Sequence, residues 1–139
     1  MTPNAYTLVP IGYVQSPLRD PATAPKQGCE GAPAAWLVFN GAVREGLRDL
    51  QVGDEVLVLT WLDRSQRDVL RVQPRDDPAR ARRGVFSTRS ADRPNPIGLH
   101  RVRIIARGEG LRFQVHPLEA VDQTPILDVK PVLDGVPEG

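Results

Sequence analysis

The sequence predicts a mainly β protein, a single antiparallel β-barrel with one short helix and long loops at its rim. Six to eight short runs rich in β-branched and aromatic residues are separated by turn residues, as in all-β domains. No glycine-rich phosphate loop opens a helix, so the doubly wound nucleotide-binding fold is excluded. The 139 residues are enough for one domain with its own core.

The predicted elements follow from local patterns. The run EVLVLTWL at 55–62 is apolar on both faces, which indicates a central, buried strand. Pro10 in the first run indicates an edge or a bulge, because proline donates no backbone hydrogen bond. Helical apolar spacing predicts one short helix at 43–50, weakened by Gly46. Strands are predicted at 6–15, 36–39, 55–62, 69–73, 85–88, 99–105 and 111–115, and the segment 118–133 combines a loop with a strand end.

A stiff, proline-rich turn at 93–98 lies between two of these strands. Its two prolines fix φ and push the preceding residues out of the α region, and Gly98 then permits a conformation that a side chain would hinder. The turn carries Arg93 and Asn95, and Arg89 precedes it. Rigid polar loops on β scaffolds are common binding sites, although a solvated turn with exposed arginines is the plain alternative.

Composition excludes several classes of protein. The single cysteine, Cys29, excludes an internal disulfide and is typical of a reducing cytosol. The two histidines, His100 and His116, are too few for a histidine-based metal site, so both are predicted to be strand residues and no metal is expected. No apolar run approaches the roughly 20 residues that cross a bilayer, so the sequence predicts a soluble, cytoplasmic protein.

Positive charge is concentrated in one part of the chain. Twelve arginines and four acids lie between Arg64 and Arg107, a local charge of +8 in a chain of net charge +1. Arginine suits forked contacts with phosphate or carboxylate and stacks on bases. This asymmetry favours an anionic partner, although a compositional bias towards arginine would produce the same pattern.

Four ordered stretches resemble one known family. They are IGYVQSP at 11–17 followed by PKQG at 25–28; TRSADRPNPIG at 88–98; DQTP at 122–125; and LDVKP at 127–131. Together they resemble the TsaA-like β-barrel family, whose best-known members are TrmO-type S-adenosylmethionine-dependent tRNA methyltransferases. The resemblance covers nearly the whole chain.

The resemblance implies an S-adenosylmethionine pocket at the barrel rim. The long loop at 17–35 contributes its P-x-Q step to this pocket. The end of the strand at 55–62 contributes Asp63 and Arg64. Two of these positions depart from the family: Asp63 stands where a histidine is usual, and Gln123 replaces the glycine of DGTP. The implied cofactor-binding residues are Pro25, Lys26, Gln27, Asp63, Arg64, Arg89, Leu99, Asp122, Gln123, Thr124 and Pro125.

Methyl transfer from a sulfonium needs tight positioning but no metal and no covalent enzyme intermediate. A urea-like nitrogen is a poor nucleophile until its proton leaves, and Asp63, Asp122 or Asp128 could accept that proton. Lys130 would hold a carboxylate in place, unless Asp128 and Lys130 form a structural ion pair. Arg93 and Asn95 are expected to shape the loop or contact the substrate. The catalytic candidates are Arg93, Asn95, Asp128 and Lys130.

Three functions remain open from the sequence. The first is methylation of the exocyclic nitrogen of threonylcarbamoyl-adenosine beside a tRNA anticodon. The second is methylation of a small metabolite, consistent with the near-neutral charge, and the third is a non-catalytic S-adenosylmethionine-binding module. The resemblance also implies a homodimer. Residues 1–139 are expected to form a single domain without the C-terminal accessory domain of longer relatives.

Overall fold

The computed structural model describes residues 4–20, 31–73 and 82–133. Six of the described strands close into an antiparallel barrel in the order β1-β2-β7-β6-β3-β8. The barrel strands are β1 (Gly12–Gln15), β2 (Ala35–Phe39), β3 (Glu55–Trp61), β6 (Ile97–Arg107), β7 (Arg112–His116) and β8 (Pro125–Pro131). Two further short strands, β4 (Arg71–Val72) and β5 (Arg83–Gly84), pair with each other outside the barrel. The predicted antiparallel β-barrel is confirmed.

The core fills the barrel interior because side chains alternate between inside and outside along each strand. Along β3, Val56, Val58 and Thr60 are buried, whereas the alternate residues are partly exposed. This strand lies between β6 and β8, as its apolar run predicted, but its outer face is only partly covered. Phe39 and Phe113 meet edge to face inside the barrel, with ring centroids 5.9 Å apart.

Gly12 has a steric role in the barrel wall. A Cβ at this position would lie 2.9 Å from Cα of Phe39 and closer still to the carbonyl oxygen of Val38 on β2. Backbone atoms cannot move aside as a flexible side chain can. The glycine therefore permits the close approach of β1 and β2.

Several sequence predictions were wrong in their bounds or type. The first strand begins only at Gly12, and residues 6–10 are exposed and outside any strand, since Pro10 cannot donate to a ladder. The predicted strand at 85–88 is a 3₁₀ helix (Val85–Ser87), and the strand at 69–73 shortens to β4. The predicted helix at 43–50 is a 3₁₀ helix (Gly41–Leu47), so the described part of the chain holds two short helices rather than one.

Candidate functional site

The connections after β1, β3 and β7 meet at one rim of the barrel. These connections cover residues 16–34, 62–96 and 117–124. Neighbouring strands run antiparallel, so the end of one strand lies on the same side of the barrel as the start of the next; Trp61 at the end of β3, for example, pairs with Ile97 at the start of β6. This rim, the loop rim, therefore carries three of the four stretches that the sequence singled out. The opposite end, the far rim, carries the connections after β2 and β6, which cover residues 40–54 and 108–111.

Arg93 holds the proline-rich turn together from inside. Its guanidinium donates to the carbonyl oxygens of Val85 at 3.2 Å, Thr88 at 3.1 Å and Ser90 at 3.0 Å. A guanidinium that already donates to three main-chain oxygens has few N–H groups left to bind a substrate. Of the two roles predicted for Arg93, these contacts favour shaping the loop.

Asn95 and Arg67 brace the turn from outside. Arg67 donates from Nε to the carbonyl of Pro94 at 2.7 Å and from Nη2 to Oδ1 of Asn95 at 3.0 Å. The same guanidinium lies over the ring of Trp61, 5.1 Å from its centroid. Asn95 is exposed, so its amide nitrogen remains accessible at the surface.

Arg89 differs from these arginines. It is exposed, and its guanidinium makes no hydrogen bond or ion pair with any other described residue. Its backbone, however, is held from both sides, because Arg93 binds the carbonyls of Thr88 and Ser90 on either side of it. The loop therefore presents an exposed guanidinium whose donors are not used among the described residues.

Asp122 clamps two of the three connections together. Its side chain is buried, and Oδ1 accepts the backbone N–H of Ser16 at 2.9 Å. Its other oxygen, Oδ2, accepts from Arg19 at 3.1 Å. The carbonyl of Arg19 in turn accepts from Nη1 of Arg64 at 2.8 Å, which attaches the end of β3 to the same network. Two predicted cofactor residues, Asp122 and Arg64, thus fix the relative positions of the connections.

The turn before β8 contains a strained residue. Gln123 has φ of 69° and is exposed, in the left-handed region that residues other than glycine rarely adopt. Its backbone N–H donates to the carbonyl of Val14 at 2.7 Å, and the hydroxyl of the buried Thr124 donates to the carbonyl of Val121 at 2.7 Å. Pro125 begins β8 opposite Tyr13. These bonds hold the turn in place and leave the Gln123 carboxamide in solvent.

Replacing Gln123 by glycine is expected to stabilise the protein by about 0.5–1 kcal/mol. Glycine removes the roughly 1–2 kcal/mol of left-handed strain but loses more backbone entropy on folding, which offsets part of the gain. Chemical denaturation measures the difference. Gln123→Ala is the control, since it shortens the side chain without relieving the strain. A glycine variant no more stable than the alanine variant would contradict the strain assigned to this turn.

The remaining predicted residues lie in different surroundings. Asp63 is exposed at the loop rim, just beyond β3, and its carboxylate has no partner among the described residues. Leu99 lies on the outer wall of the barrel, 42% exposed and opposite Leu59. The three residues of the predicted P-x-Q step, Pro25, Lys26 and Gln27, lie outside the described residues.

Asp128 and Lys130 form an ion pair of 3.1 Å on β8. They face Leu59 and Leu57 of β3 along the barrel wall, and both side chains are about half exposed. Oδ1 of Asp128 also accepts the N–H of Val129. This arrangement matches the structural ion pair that was the alternative to a catalytic role.

Sequence reasoning missed a buried polar chain beneath the loop rim. His100 was expected only to be a strand residue, and it is one, but its ring joins Thr60 at 2.7 Å to Glu119 at 2.6 Å. The alternation of β6 alone would have placed His100 inside the barrel, two residues from the inward-facing Gly98. Its partners come from β3 and from the connection before β8, and no local pattern indicates them.

Two surface depressions lie on the outside of the barrel. One, of about 290 Å³, is bordered by Glu55, Arg103 and His116 on the outer wall, and another, of about 170 Å³, is bordered by Val43 and Leu47 at the far rim. No cluster of potential metal ligands occurs within residues 4–20, 31–73 and 82–133, and none of the helices found there is long and apolar enough to cross a membrane.

The described strands form a closed antiparallel barrel, and Arg89 and Asp63 are exposed in one of the connections at its loop rim. Residues 13–136 match the family described as the tRNA-methyltransferase O N-terminal domain. The chain therefore belongs to the TrmO family, and it has the fold of that methyltransferase family.

Similar proteins agree with this assignment. A protein of Methanothermobacter thermautotrophicus, named a probable S-adenosyl-L-methionine-binding protein, is 38% identical over 91% of this chain and 90% of its own. An S-adenosyl-L-methionine-binding protein of Archaeoglobus fulgidus is 39% identical over 88% of this chain and 86% of its own. A crystal structure of TrmO from Pseudomonas aeruginosa matches 99% of this chain with a TM-score of 0.73 and 26% identity. The chain spans 61% of the length of that TrmO structure.

Proposed function

We propose that this protein is an S-adenosylmethionine-dependent methyltransferase that methylates the exocyclic nitrogen of threonylcarbamoyl-adenosine beside a tRNA anticodon. The family match over residues 13–136 carries the proposal. It is supported by two archaeal relatives that are named as S-adenosylmethionine-binding proteins and align over most of their length. Residues 1–139 act, in this proposal, as a single methyltransferase domain.

The side chains at the loop rim fit the chemistry of this cofactor. S-adenosylmethionine carries a carboxylate, an ammonium group and a sulfonium, so a site needs both an anion-binding and a cation-binding group. The Arg89 guanidinium, which has no partner within the described residues, suits the carboxylate. Asp63, likewise without a described partner, suits one of the two cationic centres through one carboxylate oxygen and keeps its other oxygen accessible to the acceptor.

In the proposed site, some of the predicted residues contact the cofactor and others hold the connections in place. Arg89, Asp63, Gln123, Leu99 and the main chain of the turn at 124–125 contact the cofactor, together with the P-x-Q step at 25–27. Asp122 and Arg64 hold the connections in place through the bonds to Ser16 and Arg19. When bound, the cofactor supplies a methyl group activated by its sulfonium charge. The protein supplies orientation, which can contribute much of the acceleration of a transfer reaction.

Asp63 is the proposed proton acceptor among the three carboxylates. Both oxygens of Asp122 are engaged in the clamp, and Asp128 is paired with Lys130 on the barrel wall. Asp63 is exposed at the loop rim, with no described hydrogen bond to its side chain. An acceptor nitrogen that approaches the rim would therefore meet an accessible carboxylate.

Replacing Arg89 by alanine is expected to weaken S-adenosylmethionine binding about tenfold, the loss of roughly 1.4 kcal/mol for a charge-assisted hydrogen bond. Isothermal titration calorimetry measures the dissociation constant. Arg48→Ala, the same change beside the far-rim helix, is the matched control and should bind like the wild type. Equal affinity of the Arg89 variant and the wild type would remove Arg89 from the site.

The activity itself is tested by transfer of a tritiated methyl group to RNA. The expected result is incorporation into bulk tRNA and none into tRNA that lacks the threonylcarbamoyl group. Equal incorporation into both would contradict the proposed acceptor but not methyl transfer. Exposed arginines such as Arg83 would contact phosphates, so binding to tRNA should weaken steeply as salt rises.

Two alternative functions rest on specific observations. The net charge of only +1 favours a small-metabolite acceptor over a polyanion, and label appearing in a metabolite extract but not in RNA would support it. The names of the relatives state binding rather than catalysis, which favours a non-catalytic S-adenosylmethionine-binding module. Tight cofactor binding without transfer to RNA or to metabolites would support that module.

A homodimer is part of the proposal. Ile97 and Leu99 are 41% and 42% exposed on the outer face of β6, where a second subunit would remove them from water. Light scattering coupled to size-exclusion chromatography measures the mass in solution. A monomeric mass at micromolar concentration would contradict this part of the proposal.

A further inference from the structure

A chain of hydrogen bonds among the buried Thr60 and His100 and the partly buried Glu119 lies beneath the loop rim. Thr60 is fully buried and His100 is 4% exposed, and Oγ1 of Thr60 lies 2.7 Å from Nε2 of His100. On the other side of the ring, Nδ1 lies 2.6 Å from Oε1 of Glu119, whose side chain is 14% exposed. The chain therefore runs from the barrel interior towards solvent at the rim.

Hydrogen-bond chemistry assigns the protons in this chain. A carboxylate can only accept, so Nδ1 of His100 carries a hydrogen and donates to Glu119. A neutral ring then accepts at Nε2 from the Thr60 hydroxyl, and a protonated ring donates from Nε2 to the Thr60 oxygen, so the bond between Thr60 and His100 is made in either state. Every polar atom of the ring is used. Such a fully satisfied buried network fixes side-chain orientations strongly, because each lost bond would leave a buried group unpaired.

The chain joins three segments that carry the proposed cofactor contacts. Thr60 lies three residues before Asp63, at the end of β3. His100 follows Leu99 directly and lies two residues after Gly98, which ends the proline-rich turn. Glu119 lies in the connection before β8, three residues ahead of Asp122. These segments are far apart in sequence, and the buried chain connects them directly.

We propose that the Thr60–His100–Glu119 chain positions the loop rim for S-adenosylmethionine, with His100 as the central positioning residue. This inference rests on the proposed function. None of the three residues contacts the cofactor in this role. They set the relative placement of β3, β6 and the turn at 122–125, on which Asp63, Leu99 and Gln123 depend.

The test compares Glu119→Ala with Glu119→Gln by calorimetric titration with S-adenosylmethionine. The alanine variant removes the acceptor for Nδ1 and should weaken binding about tenfold, or roughly 1.4 kcal/mol. The glutamine variant keeps an acceptor oxygen and should stay within about threefold of the wild type. Leu47→Ala at the far rim is the stability control, because Leu47 is buried in the core far from the chain. It should lower the melting temperature without changing affinity.

Amide hydrogen exchange gives a second readout that needs no cofactor. In Glu119→Ala, exchange should accelerate in residues 118–125, where the N–H groups of Asp122 and Gln123 bond to Leu18 and Val14. Leu47→Ala should leave these residues protected. Unchanged exchange in the alanine variant, or equal loss of affinity in Leu47→Ala, overturns the inference. A wild type that does not bind S-adenosylmethionine refutes the proposed function instead, and the exchange experiment still decides whether the chain positions the rim.

Discussion

Replacing Gly98 by alanine is expected to lower the free energy of unfolding by about 3 kcal/mol. An added Cβ would lie 2.6 Å from Nε2 of His100 and closer still to Oγ1 of Thr60. Those two atoms form the buried hydrogen bond, so the methyl group would both overpack the barrel and separate the pair. Overpacking costs about 1–3 kcal/mol, and an unpaired buried polar group costs about as much again. Urea denaturation measures the change.

Gly46→Ala is the matched control for this prediction. A Cβ at Gly46 meets nothing within 4 Å, so the same substitution in the far-rim 3₁₀ helix should change stability by less than about 1 kcal/mol. A Thr60→Ala background should reduce the cost of Gly98→Ala, because it removes the nearest atom. Fully additive effects of the two substitutions would show that the clash with Thr60 is not the cause.

Replacing Asp122 by alanine is expected to cost about 2–3 kcal/mol of stability and to weaken S-adenosylmethionine binding. The buried carboxylate accepts from the N–H of Ser16, and removal leaves that donor without its charged partner. The connections after β1 and β7 then lose their clamp, and the proposed contacts at 123–125 lose their fixed position. Denaturation and calorimetric titration measure the two effects.

Arg19→Ala separates the two bonds of the clamp. Arg19 is 77% exposed in its side chain, so its ion pair with Asp122 is solvent-screened and should contribute less than about 1 kcal/mol. Asp122→Asn keeps an acceptor oxygen for Ser16 and should fall between the alanine variant and the wild type. If Arg19→Ala proved as damaging as Asp122→Ala, the surface ion pair rather than the bond to Ser16 would hold the clamp.

The sequence predicted the barrel because its strands are encoded locally. β3 is visible as an apolar run, and β2 and β7 as short β-branched and aromatic runs within one residue of their bounds. The segment Val85–Ser87 has similar composition but forms a 3₁₀ helix. The guanidinium of Arg93 donates a hydrogen bond to the Val85 carbonyl, which is therefore not used in a strand ladder. The neighbouring ladder between β4 and β5 ends at Gly84. Tertiary contacts therefore overrode local propensity.

For the candidate site, too, the sequence identified some features and only the structure revealed the others. The sequence identified the proline-rich turn, the DQTP segment and the departure from the family at Gln123. Each of these is a contiguous run of residues, so the residues and the family resemblance were enough to find it. Their roles were not predictable. Whether Arg93 faces a ligand or its own loop depends on where the carbonyls of residues 85–90 lie, and only the folded backbone sets that. The same holds for Asp128, whose partner Lys130 shares its face of β8.

By itself, the sequence determined the barrel fold, the family and the segments that form the loop rim, since these depend on local propensity and on motifs. The tertiary structure decided which polar side chains are hydrogen-bonded within the protein and which remain accessible to a ligand. Ser16 and Asp122 are 106 residues apart, and Thr60 and His100 are 40 apart. Such pairs form only in the folded chain, because β3 pairs with β6 and β1 pairs with β8 although these strands are far apart in sequence.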